Sequence, residues 1–306
     1  MLLRMEEIVL AASSNEKDRP VVGFIGTGVM GGSMAGHLID AGYSLNVYNR
    51  TASKCEPLVK KGAKLHSSPG EAAAASDIVI TIVGFPKDVE QVYLEPGGIV
   101  ERAKPGSLLI DMTTSSPELA VRIYDAARSK GLGTCDAPVT GGDRGAREAT
   151  LSILVGGTDE DFNRALPLFE TMGKNIVHFG PAGFGQRAKL ANQIIIAGTM
   201  LGMCEGLAYA KKSGIDTQRL YDCIVSGSAG SWSFTNYTPR ILKEDFNPGF
   251  FVKHFVKDMR LASQSSQEAG LSLKGLETAL EQYIELENEG YAENGTQSLY
   301  KLYCKD

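Results

Sequence analysis

The chain has 306 residues, 31 Lys+Arg against 36 Asp+Glu, a net charge of −5 and a 43% hydrophobic composition. That length leads us to expect about two domains, and the apolar content is enough for a sizeable core, which sets aside a disordered chain or a stapled miniprotein. Near-balanced charge without a basic run argues against a nucleic-acid surface, while five cysteines without a CxxC pair and four histidines without HExxH fit a reducing compartment and argue against zinc.

Residues 1–20 read as an N-terminal extension. They hold Arg4 but also Glu6, Glu7, Glu16 and Asp18, a poor match to an Arg-rich, acid-poor transit peptide, and the apolar stretch Ile8–Ala12 is too short for a signal peptide. The longest apolar stretch elsewhere, Ile194–Cys204, falls short of the ~20 residues that a membrane span needs. We therefore expect no membrane partner and a cytoplasmic location, with a trimmed mitochondrial form as the alternative.

Residues 21–26 (VVGFIG) form a short apolar run, the pattern of a strand buried on both faces. Gly26-Thr27-Gly28-Val29-Met30-Gly31 follows it directly and opens a helix-like stretch. A GxGxxG between strand and helix permits a tight turn, lets the backbone approach a pyrophosphate and puts that charge at a helix N-terminus, so these six residues are expected to bind a dinucleotide. The second strand, Leu45–Tyr48, should end on a carboxylate if the ribose 2′-hydroxyl of NAD is gripped there. It is followed instead by Asn49, Arg50 and Thr51, and Arg50 is able to pair with a 2′-phosphate; this favours NADP, with NAD as the alternative.

Further strand-like runs fall at Ile78–Val83, Leu108–Asp111, Cys135–Val139, Ser152–Val155 and Ile176–Phe179, with helical stretches such as Glu71–Ala75 and Pro117–Ser129 between them. This alternation predicts βαβ units and a doubly wound parallel sheet over residues 21–182. Ligands in such sheets collect beyond the C-terminal strand ends, so Gly84 (in Gly84-Phe85-Pro86) and Thr113 (in Met112-Thr113-Thr114) are expected to flank the cofactor. In the run Asp136–Gly142, the Thr140 hydroxyl and the N–H groups of Gly141 and Gly142 make a small cradle for a carboxylate.

From residue 183 to 306 the pattern turns helical. A long helix is predicted over Gln186–Ser213, followed by Thr217–Val225, Pro239–Lys243, Val252–Glu268 and Leu273–Glu289. Gly198, Gly202 and Gly206 share one face of the long helix, a ridge suited to close packing either inside the domain or between subunits. Lys189 and Asn192 share a face near its start, where the helix dipole and partial burial lower a lysine pKa toward the range of a general acid–base. Lys257-Asp258 is a second charged pair.

GxGxMG (26–31), DAPVTGG (136–142), GxGxxxKxxN (183–192) and KDMRLA (257–262) occur in the order found in the β-hydroxyacid dehydrogenases, and the chain resembles that family's 3-hydroxyisobutyrate dehydrogenase-like branch over about residues 21–295. The resemblance implies a Rossmann-type domain followed by an all-α C-terminal domain for substrate binding and dimerisation. It implies Lys189 as the catalytic lysine, Asn192 holding the substrate, and Thr140, Gly141 and Gly142 gripping a substrate carboxylate. It also implies Lys257 and Asp258 beside the nicotinamide, Ser231 and Trp232 lining the substrate pocket, and a homodimer or tetramer. No metal is required. Ala191 stands where decarboxylating 6-phosphogluconate enzymes carry His, and Gly-Gly-Asp-Arg (141–144) departs from the Ser-Lys run of glyoxylate and succinic semialdehyde reductases. The expected activity is hydride transfer between a nicotinamide and a short β-hydroxyacid or its semialdehyde. A glyoxylate or succinic semialdehyde reductase, and a non-catalytic dinucleotide-binding protein, are the rivals.

Overall fold

The computed structural model describes residues 19–304, so the expectations for the first 18 residues lie outside the described residues. The chain divides into two compact units. The first runs up to Thr113 and adds Glu118–Gly141 and Gly145–Gly185; the second takes Thr114–Pro117, Gly142–Arg144 and the chain from Gln186 on.

The first unit is built on a nine-stranded sheet in the order β3-β2-β1-β4-β5-β6-β8-β7, with β9 paired to β8. Its strands are β1 (Val22–Ile25), β2 (Leu45–Tyr48), β3 (Lys64–Leu65), β4 (Ile78–Thr81), β5 (Leu108–Asp111), β6 (Gly133–Asp136), β7 (Val139–Thr140), β8 (Leu151–Gly157) and β9 (Gly173–Gly180). Helices α1 (Val29–Asp40), α2 (Glu56–Lys60), α3 (Pro69–Ala74), α4 (Pro86–Leu94), α5 (Ile99–Arg102), α6 (Pro117–Arg128), α7 (Gly142–Arg147) and α8 (Asp159–Met172) are interleaved with them. The continuous apolar runs have a simple cause. Phe24, Ile80 and Ile110 alternate with Ile25, Val79 and Leu109, the first set packing on Met34, Leu38 and Phe169, the second on Val89, Tyr93 and Ile123. Both sheet faces are therefore covered by helices, as buried parallel strands require.

The sheet is not parallel throughout: β8 runs antiparallel to both β6 and β7. The link from Thr140 to Leu151 is shorter than the dozen or more residues a parallel crossover needs. The run expected as one strand at Cys135–Val139 is split into β6 and β7, and Pro138, which has no N–H to give a ladder, lies at the break.

The second unit is helical: α9 (Phe184–Lys212), α10 (Thr217–Ile224), α11 (Trp232–Leu242), α12 (Val252–Glu268), α13 (Lys274–Leu286) and α14 (Tyr300–Tyr303). Helix α11 is much longer than the Pro239–Lys243 segment expected. It starts at a Ser231 cap whose Oγ accepts Phe234 N at 3.0 Å, and Pro239 lies inside it. The carbonyl that Pro239 leaves without its helical donor, Thr235 O, accepts from Tyr221 Oη at 3.3 Å. The last predicted helix stops at Leu286 and continues as a π turn, in which Gly290 takes φ 92°.

Helix α9 is long and apolar enough to cross a membrane by length and composition. One face, with Leu190, Ala197, Met200, Met203, Cys204 and Leu207, is buried in the core of the helical unit against Phe255, Met259 and Tyr283. The glycine ridge lies elsewhere. A Cβ placed on Gly198, Gly202 or Gly206 meets nothing within 4 Å, and Ile195 and Tyr209 are 67% and 72% exposed. Packing of this ridge inside the domain, one of the two expectations, is thereby overturned.

The turn after β1 is the feature of the sheet that most depends on glycine. Gly26 adopts φ +97°, and a Cβ there would lie 2.1 Å from Ile82 O. Gly31 presses α1 against the turn, since its Cβ would lie 1.9 Å from Gly26 O, whereas a Cβ on Gly28 meets nothing within 4 Å. Gly31→Ala should therefore cost about 1–3 kcal/mol, as overpacking does, and Gly28→Ala less than ~1 kcal/mol. Thermal melts of the two variants check the contrast.

Candidate active site

The C-terminal ends of β1, β2, β4 and β5 lie at one edge of the sheet, because these strands are parallel neighbours. At that edge the glycine turn opens α1, whose N-terminus has no side-chain cap and no acid in its first turn. Gly28 leaves space above the backbone and Val29 is 64% exposed beside it. These are the features that admit a pyrophosphate: bare backbone, open approach and the positive end of a helix. Thr27 is a different case. It is buried, its N–H is taken by Asn49 Oδ1 at 3.1 Å and its hydroxyl lies 3.3 Å from Cys55 Sγ. Asn49 also donates to Thr51 O at 3.0 Å, so it pins the end of β2 to the glycine turn.

Arg50 is 84% exposed and its NH1 lies 3.2 Å from Asp88 Oδ1. No carboxylate stands beside Arg50 at the end of the second strand; Asp88 arrives instead from α4, which follows β4. Pairs this exposed are worth ~0–1 kcal/mol. Gly84 is half-buried in the loop after β4. Thr113 ties that loop to the end of β5: its Oγ1 accepts Val83 N at 3.0 Å and its N donates to Asp111 Oδ1 at 3.1 Å.

Thr140 closes β7, paired with Ser152, and the next two residues leave the ordinary backbone regions, Gly141 at φ 130° and Gly142 at φ 63°. Only glycine takes such a pair of angles without strain. Asp136, which begins the same motif, has a framework role: its Oδ1 accepts Gly183 N at 2.7 Å. Gly185 follows, and a Cβ there would lie 2.3 Å from Asp136 O, so bare backbone seats the start of α9 on β6.

Within the helical unit, Lys189, Asn192, Lys257 and Asp258 come together. Lys189 and Asp258 are buried at 6% and 1% exposure. Lys257 Nζ lies 2.9 Å from Asp258 Oδ1 and donates to Thr114 O. Asp258 Oδ2 accepts from Gln193 Nε2 at 2.5 Å, and Gln193 Oε1 accepts from Asn192 Nδ2 at 2.8 Å. Burial is the main force on Lys189: it lowers the pKa to about 8, while the Asp258 charge pulls it up and the Lys257 charge pushes it down. Sequence reasoning missed Gln193, although it stands four residues past Lys189 and so on the same helix face. Ser231 is a helix cap, and Trp232, 58% exposed, stacks edge-on against Tyr237 at 5.6 Å.

A doubly wound sheet with this turn and a helical unit with a buried lysine define a pyridine-nucleotide-dependent oxidoreductase. Residues 21–180 match the family model described as the NAD binding domain of 6-phosphogluconate dehydrogenase, and residues 183–303 the one described as NAD-binding of NADP-dependent 3-hydroxyisobutyrate dehydrogenase. The chain is 50% identical over 279 residues to the probable 3-hydroxyisobutyrate dehydrogenase-like 1, mitochondrial, of Arabidopsis thaliana, covering 91% of this chain and 83% of that one. It is 47% identical over 287 residues to the uncharacterized oxidoreductase YkwC of Bacillus subtilis, covering 94% and 100%. Among solved structures it resembles Mycobacterium tuberculosis 3-hydroxyisobutyrate dehydrogenase with L-serine, at 29% identity and TM-score 0.85 over 94% of this chain and 99% of that one. The chain belongs to the β-hydroxyacid dehydrogenase family, in its 3-hydroxyisobutyrate dehydrogenase-like branch, and is an NAD(P)-dependent hydroxyacid dehydrogenase.

The Lys189 ammonium should titrate near pH 8 when followed by NMR of the isotope-labelled side chain. Asp258 holds that value up, so Asp258→Asn should move the midpoint to lower pH; an unchanged or higher midpoint would contradict the assignment.

Proposed function

We propose that the enzyme interconverts a short β-hydroxyacid, 3-hydroxyisobutyrate or a close analogue, and its semialdehyde, preferring NADP and using Lys189 to move the proton. The observation that carries this reading is the buried Lys189, with a pKa of about 8, in a cluster with Asp258 and Lys257. A lysine that titrates near neutral pH exists in both protonation states at working pH, as a general acid–base must.

When bound, the dinucleotide supplies a hydride-accepting or hydride-donating C4. Neutral Lys189 takes the hydroxyl proton during oxidation, and the ammonium returns it to the carbonyl oxygen during reduction. Asn192, with one amide N–H on Gln193, holds the substrate through the rest of its amide. The Thr140 hydroxyl and the N–H groups of Gly141 and Gly142 receive the substrate carboxylate, which selects an acid over a neutral alcohol, and Trp232 borders the substrate. Gly26, Gly28, Val29, Met30 and Gly31 seat the pyrophosphate; Thr27, Asn49 and Thr51 shape that turn; Gly84, Thr113, Lys257 and Asp258 border the nicotinamide half. Arg50 pairs with the 2′-phosphate of NADP.

In this reading residues 21–182 bind the dinucleotide and residues 183–306 serve substrate binding and dimerisation. The stripe Ile195, Gly198, Gly202, Gly206 and Tyr209 on α9 is covered by a second copy of the chain. All five cysteines are free, which suits a reducing compartment such as the cytoplasm. The mycobacterial 3-hydroxyisobutyrate dehydrogenase structure is one with L-serine. Serine is itself a β-hydroxyacid, which supports it as the second substrate candidate.

A substrate panel of 3-hydroxyisobutyrate, L-serine, glyoxylate and succinic semialdehyde should show the highest kcat/KM with 3-hydroxyisobutyrate, and a silent panel would refute the reading. Lys189→Ala should lower kcat about 10²–10⁴-fold without changing NADPH affinity. Because the neutral amine drives oxidation and the ammonium drives reduction, oxidative kcat/KM should rise with pH through about 8 and reductive kcat/KM should fall there. In sedimentation, Gly202→Trp should dissociate the oligomer.

A further inference from the structure

The order β2-β1-β4 places the C-terminal ends of β2 and β4 on either side of the glycine turn that follows β1. Arg50 stands just after β2 and Asp88 in the first turn of α4, just after β4. The Asp88 carboxylate uses both oxygens: Oδ2 accepts Phe85 N at 3.1 Å, and Oδ1 lies 3.2 Å from Arg50 NH1. The first contact fixes the carboxylate at the base of α4. The second leaves Arg50 84% exposed, with most of its guanidinium open to another anion, while Asp88 is 24% exposed.

We propose that Asp88 is a specificity-determining residue for the dinucleotide. It stands in for the carboxylate that the end of β2 lacks, and it competes with a 2′-phosphate for Arg50. This rests on the reading of Arg50 as the partner of that phosphate. With NAD the Arg50–Asp88 pair stays whole, and the carboxylate accepts a hydrogen bond from the ribose 2′-hydroxyl, the part an acid plays in NAD-binding turns. With NADP the guanidinium exchanges Asp88 for a phosphate, a bidentate partner of higher charge, and the carboxylate is left beside it with repulsion between them. Asp88 thus limits how far NADP outruns NAD and keeps NAD in use.

The test compares kcat/KM for NADP and NAD, with the affinities of NADPH and NADH, in the full-length enzyme and its Asp88→Asn, Arg50→Ala and double variants. Asparagine is close to isosteric and retains an oxygen for Phe85 N, so the start of α4 is kept. Asp88→Asn should raise the NADP:NAD ratio of kcat/KM about tenfold, with NADPH binding tighter and NADH binding weaker. In the Arg50→Ala background the NADPH gain should shrink, because there is no guanidinium to release and only the carboxylate–phosphate repulsion is relieved. A ratio that stays level or falls in Asp88→Asn, while Arg50→Ala lowers it, overturns the proposal and leaves the Arg50 reading standing. A ratio unmoved by Arg50→Ala overturns that reading and the proposal with it.

Discussion

The cluster around Lys189 depends on the cost of keeping an ammonium out of water. An isolated buried charge is too expensive to hold, so it is neutralised, paired or hydrogen-bonded. Lys189 sits between the first two outcomes. Burial pushes its pKa down, Asp258 keeps it from falling further, and Lys257 shares that carboxylate. The opposing pulls leave a value of about 8, not the 10.5 of a solvated lysine. The second oxygen of Asp258 is held by Gln193, and its neighbour Lys257 is anchored on Thr114 O. Remove the amide and the carboxylate loses the hydrogen bond that makes its burial tolerable.

The sheet unit works by a different economy, in which bare backbone replaces side chains. Gly26 and Gly31 are excluded from bearing a Cβ by the neighbouring backbone, while Gly28 is open. Within one hexapeptide, two glycines therefore serve packing and one serves approach. The packing use recurs at Gly185, which is pressed on Asp136 O. Asn49 completes the arrangement by taking the Thr27 N–H, so a group that the motif offers to a cofactor serves the shape of the turn.

Much of this was legible in the residues themselves, and the exceptions share physical causes. Strands buried on both faces, such as β1, β4 and β5, announce themselves as apolar runs because each residue meets a helix on one side or the other. The two-residue strands β3 and β7 are too short to carry periodicity, and the antiparallel turn of β8 follows from a connection length rather than from any residue pattern. Helix α11 was misread because a proline usually marks a helix start, and here Tyr221 satisfies the carbonyl that Pro239 abandons. Lys189 and Asn192 were visible through spacing on one helix, and Gln193 lay within reach of the same rule. Asp88 was not, because its partnership with Arg50 is made across the sheet, between residues 38 apart in sequence.

Two of the carboxylate–cation pairs among the described residues, Lys257–Asp258 and Arg50–Asp88, have similar chemistry and opposite surroundings. The first has side chains 11% and 2% exposed, and the second 84% and 24%. Breaking a buried pair strands a charge at about 3–5 kcal/mol, whereas an exposed pair is worth ~0–1 kcal/mol and exchanges partners readily. Burial therefore makes the pair beside Lys189 a fixed part of the framework, one that adjusts the Lys189 proton affinity which burial has lowered. Exposure makes the pair beside the glycine turn responsive, so that an incoming anion of higher charge can displace the aspartate. The consequence is an asymmetry in what substitution can change. In the proposed reading, dinucleotide preference rests on a contact that is weak and open to replacement, while the proton chemistry rests on one whose loss leaves a charge buried without a partner.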